Sequence, residues 1–249
     1  FLLQNDYINM NIGIVCYPTI GGSGVVATEL GKALAKKGHS VHFISYNTPA
    51  RLDTFSKNIY YHEVRVSNYP LFDYTPYELV LSSKMVEVVE FEKIDLLHVH
   101  YAIPHASAAY MAKQILSSKG IKVPFVTTLH GTDITLLGKD PSFEPVITFA
   151  INNSDAVTAV SQSLRDDTFK NFAEVSKDIS VIPNFVCLDQ YDFANAQVLR
   201  KQYANKKEKV LMHISNFRKV KRVGDVVSIF EKVRAKMPAK LLLLSLIHI

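Results

Sequence analysis

Apolar residues fall along this chain into short runs rich in Val and Ile that alternate with longer amphipathic stretches. A short apolar run bounded by Gly, Pro, Asn or Asp is what a parallel strand covered on both faces requires, and the stretches between have the length of helices. The pattern predicts strands at Asn11–Cys16, Ser40–Ser45, Leu96–His100, Phe125–Leu129, Ala156–Val160 and Ile179–Ile182. Helices are predicted at Val25–Lys37, Tyr77–Glu92, His105–Ser117, Phe143–Asn152 and Ser161–Phe172. This alternation is that of βαβ units, and the expected fold is α/β with a mostly parallel sheet.

From Leu188 to Lys207 the sequence turns polar and the strand signal is lost, so a linker is expected over 188–207, between a first domain at 10–187 and a second at 208–249. The second opens with a strand at Val210–Ile214, a helix at Val223–Lys236 and a strand at Lys240–Leu244. About sixty residues follow Asp189, fewer than the roughly 100 a domain usually needs, so this domain is expected to be truncated. Phe1–Asn9, ahead of Met10, reads as an upstream extension. The closing Ser-Leu-Ile-His-Ile stands where a polar or glycine-containing loop is expected, which suggests a shortened reading frame with a few non-native terminal residues.

Composition narrows the class. With 48% hydrophobic and 20% charged residues over 249 positions, the chain has material for real cores and is neither fibrous nor disordered. Two cysteines, Cys16 and Cys187, make neither a disulfide framework nor a structural zinc site, and a cytoplasmic location is expected. The start lacks the features of a signal peptide, and the apolar run Leu241–Ile249 is too short to span a bilayer. A net charge of +5 suits anionic partners without choosing among them. The one dense basic cluster is Arg218, Lys219, Lys221 and Arg222.

Three places carry candidate chemistry. The first strand runs through Tyr17-Pro18-Thr19-Ile20 into Gly21, Gly22, Ser23 and Gly24 and then a helix, where glycines let backbone approach a ligand and free N–H groups favour an anion. The spacing is not that of the dinucleotide fingerprint, and Ser45-Tyr46-Asn47 ends the second strand where an acidic ribose ligand would stand, which argues against an oxidoreductase. His98, His100 and Tyr101 leave one strand and His130-Gly131-Thr132-Asp133 leaves another, and such tips converge on one cleft in an open α/β sheet. Each histidine alone reads more often as a hydrogen-bonded structural residue than as a catalytic one, by about two to one; their grouping shifts those odds toward the cleft. They lie on different strands without a Cys or HExxH pattern, so no metal site is expected. Arg218 and Lys221 stand at a strand-to-helix turn, placed for a diphosphate; aromatic residues do not interleave with them, and nucleic acid is not an expected partner.

Taken in order, Cys-Tyr-Pro-x-x-Gly-Gly-Ser-Gly, His-Tyr-Ala-Ile-Pro-His, Thr-Thr-Leu-His-Gly-Thr-Asp-Ile-Thr, Thr-Ala-Val-Ser and Ser-Asn-Phe-Arg-Lys-Val-Lys-Arg resemble the bacterial N-acetylglucosaminyl L-malate synthases, retaining family 4 glycosyltransferases. The resemblance runs from about Met10 to Leu244. It implies a GT-B fold of two Rossmann-like parallel-sheet domains, with UDP-N-acetylglucosamine held by the second and L-malate by the first across the cleft. It implies transfer to the malate hydroxyl with retention, the first step of bacillithiol biosynthesis, with no metal and no further cofactor, in an enzyme that could self-assemble. Carried over by position, Gly21, Gly22, Ser23 and Gly24 approach the malate and donor phosphates, Tyr101 and Thr128 hold malate carboxylates, and His130 lies near the reacting sugar. Asn184 lines the cleft, and Arg218 and Lys221 neutralise the departing diphosphate in place of a metal. Two positions depart from expectation: Asn216 stands where many relatives have Gly, and Thr148 is neutral where a base to meet malate is expected. The alternative is a sister GT-B transferase with another small or lipid-linked acceptor.

Overall fold

The computed structural model describes residues 9–53, 55–66, 76–136, 138, 140–188 and 194–245. The chain divides into two compact units, Phe1–Phe185 and Val186–Ile249.

In the first unit the described strands are β1 (Asn11–Val15), β2 (Ser40–Ser45), β3 (Ile59–Glu63), β4 (Leu96–His100), β5 (Phe125–Leu129), β6 (Ala156–Ala159) and β7 (Ile179–Val181). They form one parallel sheet in the order β3-β2-β1-β4-β5-β6-β7. The helices are α1 (Ser23–Lys36), α2 (Tyr77–Glu92), α3 (Ser107–Ser118), α4 (Glu144–Asn153) and α5 (Gln162–Asn171). The chain winds outward from β1 through β2 to β3, returns to β4 beside β1, and winds the other way. The order therefore reverses between β1 and β4, and the crevice that a doubly wound sheet offers a ligand opens there.

Two-residue periodicity sends alternate side chains to opposite layers. Ile12, Ile14, Val41 and Phe43 are buried with α1 residues Ala27 and Ala35. Val15, Ile44, Leu97 and Val99 pack with Leu81, Met85 and Val89 of α2 and with Ala109, Ala112 and Leu116 of α3. A third cluster joins Leu129, Val157 and Ala159 to Ile147, Ile151, Leu164 and Phe172. On β4 the positions alternating with Leu97 and Val99 are Leu96, His98 and His100, so the C-terminal part of one face of a central strand is imidazole rather than hydrocarbon.

In the second unit β8 (Lys209–Ser215) and β9 (Ala239–Ser245) pair in parallel around α7 (Val223–Arg234), a βαβ unit preceded by α6 (Ala196–Tyr203). Met212, Ile214, Ile229 and Leu244 are exposed here.

Two elements were not foreseen. Ile-Tyr-Tyr-His-Glu of β3 has a single fully apolar core residue, Ile59, because an edge strand needs covering on fewer sides. The expected linker 188–207 contains α6, whose strongly amphipathic register is hidden in a polar composition.

Candidate active site

The tips of β1 and β4 meet at the switch point, and the backbone after each is forced into unusual shapes. After β1 the chain turns through Gly22, whose φ of 64° and ψ of −133° suit only glycine, and α1 begins at Ser23. At Gly24 the helix lies so close to its own approach loop that a Cβ would sit 2.5 Å from the Tyr17 carbonyl oxygen and 2.8 Å from that of Thr19. The loop is thus folded against the helix start. No side chain caps α1 and its first turn holds no acid, so its leading N–H groups and partial positive charge are not neutralised from within the first turn.

Ser23 is buried and its hydroxyl donates to the Tyr101 hydroxyl at 2.9 Å, tying the α1 start to the β4 tip. Tyr101 holds φ at 88°, a left-handed value costly for a side-chain-bearing residue, while its N–H donates to the Thr128 carbonyl at 2.9 Å. Tyr17 packs on both Tyr101 and His105 with ring centroids 5.4 and 4.5 Å away. The chain then kinks at Ile103, whose φ of −129° and ψ of 142° are not helical, crosses a cis Ile103–Pro104 bond and enters α3 at Ser107, two residues later than the sequence pattern indicates.

Beneath Tyr101 lies a layer of polar side chains crossing β4, β5 and β6. His98 Nε2 meets Thr128 Oγ1 at 2.7 Å, and Thr128 Oγ1 meets Thr158 Oγ1 at 2.8 Å. His100 Nδ1 meets His130 Nε2 at 2.7 Å, and the rings of His98, His100 and His130 stack in series at 4.7 and 5.0 Å. His105 Nδ1 bonds the His100 carbonyl, so that nitrogen carries its proton and the buried Nε2 is a lone pair. His100 Nε2 is likewise buried without a partner among the described residues. An orphaned acceptor is more tolerable than an orphaned N–H, which assigns the proton of His100 to Nδ1, donating to His130 Nε2; His130 then carries its own proton on Nδ1.

Burial sets the charge of this layer. It is the main cause that lowers the pKa of His98, His105 and His130 to about 4 each, neighbouring imidazoles contributing at His130. His100, fully enclosed, is lowered further for the same reasons. At neutral pH these rings are uncharged donors and acceptors, not cations. Asp133 is also fully buried, and its two oxygens accept from the N–H of Ala102 at 3.0 Å and of Gly131 at 3.1 Å, lacing the β4 and β5 exits together. Desolvation pushes its pKa up, and the N–H donors oppose that.

The structure thus brings Ser23, Tyr101, Thr128 and His130 into one contiguous network, with Gly21, Gly22 and Gly24 in the turn that delivers Ser23. Asn184 lies exposed just past β7, and among the described residues no hydrogen bond ties it to that network. Thr148 on α4 is buried, packed away from solvent. Sequence reading assigned no individual role to Tyr17, His105, Asp133 or Thr158. The signal for Asp133 was present in the His-Gly-Thr-Asp motif, but nothing in the sequence tells which N–H groups its oxygens meet.

In the second unit, Arg218 and Lys221 flank a 3₁₀ turn over Lys219–Lys221 between β8 and α7, with the Lys221 N–H donating to the Arg218 carbonyl at 2.8 Å. Arg222, at φ 49°, pairs with Asp225. Among the described residues Arg218 and Lys221 have no acidic partner, and both are exposed. Ser215 Oγ shapes the turn by accepting from the Phe217 N–H at 3.2 Å.

Comparison with known proteins identifies the family and the fold. The family model for Glycosyltransferase Family 4 matches residues 20–190. The chain is 53% identical over 237 residues to the N-acetyl-alpha-D-glucosaminyl L-malate synthase of Bacillus anthracis, covering 95% of this chain and 61% of that protein. It therefore spans about three-fifths of that relative's length. Among solved structures, a glycosyltransferase from Rickettsia africae superposes with a TM-score of 0.66 at 18% identity, covering 96% of this chain and 69% of the other. Sucrose-phosphate synthase from Thermosynechococcus elongatus gives 0.65 at 16% identity, covering 94% and 62%. These distant likenesses establish the two-domain α/β fold of the GT-B class, and among the described residues no helix is long and apolar enough to cross a membrane. A glycine turn and a neutral imidazole layer at the switch point of a doubly wound sheet, together with the family match over most of the chain, lead to one conclusion: this chain belongs to glycosyltransferase family 4.

Proposed function

We propose that this chain serves a retaining transfer of N-acetylglucosamine from UDP-N-acetylglucosamine to the hydroxyl of L-malate, the first step of bacillithiol biosynthesis, in the cytoplasm. The observation that carries the proposal is the 53% identity to a protein bearing that synthase name, over 95% of the chain. The site chemistry supports it. The α1 N-terminus, free of acidic side chains in its first turn, suits a small dicarboxylate, and the Ser23 and Tyr101 hydroxyls and Thr128 supply neutral hydrogen bonds around it.

Glycosyl transfer passes through an oxocarbenium-like state, so the enzyme must aid departure of the nucleoside diphosphate and hold the acceptor on the correct face. In this reading Arg218 and Lys221 receive the charge that develops on the departing diphosphate and take the place of a divalent metal. The departing phosphate accepts the malate hydroxyl proton on the same face, so no protein nucleophile is needed. His130, neutral at working pH, offers a hydrogen bond to the sugar without adding charge beside a cationic transition state. Asn184, just past β7, lines the cleft in this reading.

The test uses a protein carrying this sequence at the length of the Bacillus anthracis relative. Incubated with UDP-N-acetylglucosamine in EDTA, it is expected to convert L-malate to its α-linked N-acetylglucosaminide, read by mass spectrometry and by the anomeric proton coupling. Glycosylation of an inositol phosphate or a lipid-linked sugar, with malate untouched, would replace this reading by that of a sister transferase.

A further inference from the structure

At the far edge of the first unit's sheet, three metal-ligating side chains from separate elements converge. His42 is the third residue of β2, His62 belongs to edge strand β3, and Glu92 is the last residue of α2. One nitrogen of each imidazole and one carboxylate oxygen lie within 4.8 Å of one another. His42 Nδ1 and His62 Nε2 are 3.0 Å apart, and His42 is buried while the other two are half-buried. The rings of Tyr60, His42 and His62 stack in sequence, with centroids 4.6 and 5.3 Å apart, which fixes the imidazole planes.

This cluster is distinct from the transferase site. The strand tips that form the site are the C-terminal ends, whereas Glu92 sits where α2 has returned to the strand starts. The side chain of Asn11, the first residue of β1, donates to the Glu92 carbonyl at 3.1 Å. His42 shares its face of β2 with Ile44, which packs against α2, so helix and strands present their ligands to one volume.

We propose that His42, His62 and Glu92 form a binding site for a borderline divalent transition-metal ion, of the zinc class, that clamps edge strand β3 to the end of α2. Two imidazoles and one carboxylate with a fourth position open to water are a ligand set suited to zinc; magnesium and calcium, which take all-oxygen shells, are not suited to it. In a tetrahedral zinc site with Zn–N near 2.0–2.1 Å, the two nitrogens stand about 3.3 Å apart, so the imidazole pair needs to open by only a few tenths of an ångström. Glu92, at a helix terminus and partly exposed, has the rotamer freedom to close the remaining distance. The clamp acts on an edge strand far from the reacting groups, so its effect is on the order of β3 and not on turnover.

The experiment uses the full chain, stripped with EDTA, dialysed and titrated with Co²⁺ as an optical probe, then with Zn²⁺. We expect a visible d–d band that saturates at one ion per chain, is displaced by Zn²⁺ and is unaffected by excess Mg²⁺. His62→Gln and Glu92→Gln should weaken binding by roughly tenfold or more, since even changes one shell beyond a ligand cost that much. His130→Gln, which removes an imidazole from the other cluster, should retain the band. Circular dichroism of each variant reports whether it has folded. No saturable band in the parent chain, a band that survives both His62→Gln and Glu92→Gln, or one abolished by His130→Gln would overturn the assignment.

Discussion

An alanine at Gly24 would place its Cβ 2.5 Å from the Tyr17 carbonyl oxygen, 2.7 Å from Thr19 Oγ1 and 2.8 Å from the Thr19 carbonyl oxygen. Ordinary contact begins near 3.4 Å, so the approach loop and the α1 start must separate by about 0.9 Å, and two of the three obstacles are backbone that cannot swing aside. Overpacking of this kind costs roughly 1–3 kcal/mol, equivalent to a fall of some 4–8 °C in thermal midpoint at 2 kcal/mol for a protein of this size. The larger consequence is functional, because the moved segment carries Ser23 and the N–H groups assigned to the anion; a misplacement near 1 Å costs about a hundredfold in rate. Gly22 is the internal control. A Cβ there meets nothing within 4 Å, and what resists is the backbone pair of φ 64° and ψ −133°, which disfavours any side chain, at roughly 1–3 kcal/mol. Initial rates of transfer and thermal unfolding, measured on both variants, should show kcat/KM reduced about a hundredfold in Gly24→Ala but less than about tenfold in Gly22→Ala. Activity of Gly24→Ala within about threefold of the parent would show that loop closure against α1 does not position the site.

Acid should loosen the first unit. His98, His105 and His130 are held near 4 when folded against about 6.5 unfolded, so their contribution is complete above pH 6.5 and is lost as pH falls toward 4, by about 2 kcal/mol per group at pH 5 before coupling. The urea midpoint should drop clearly between pH 7.5 and 5, and an unchanged midpoint would contradict their enclosure. Asp133→Asn turns one acceptor toward the Ala102 or Gly131 N–H into an opposing donor, and chemical denaturation should register a loss of about 1–3 kcal/mol; a neutral result would mean those bonds do not hold the β4 and β5 exits. Arg218→Ala or Lys221→Ala should lower turnover by roughly 10²–10³ while leaving malate affinity nearly intact, as steady-state kinetics would show, and an unchanged turnover number would remove them from the mechanism.

The rhythm of short apolar runs and amphipathic stretches carried enough information to predict the α/β class and six of the first unit's strands to within a residue, because a strand covered on both faces must be apolar throughout and its helices must show a 3.6-residue stripe. It also predicted that the glycine turn, Tyr101 and His130 stand at strand ends. Periodicity is silent where burial is partial, which is why β3 and α6 escaped it. The order β3-β2-β1-β4-β5-β6-β7 was equally out of reach, since strand neighbours are selected by packing across the sheet and not by adjacency in the chain. Only that order sets Ser23 against Tyr101, 78 residues away, and the His100 ring against His130. It likewise brings His42, His62 and Glu92 together from spacings that match no metal motif. Local pattern dictates which segments become strands and helices, because that depends on near neighbours; side-chain pairing across the sheet depends on topology, and so appears only once the chain has folded.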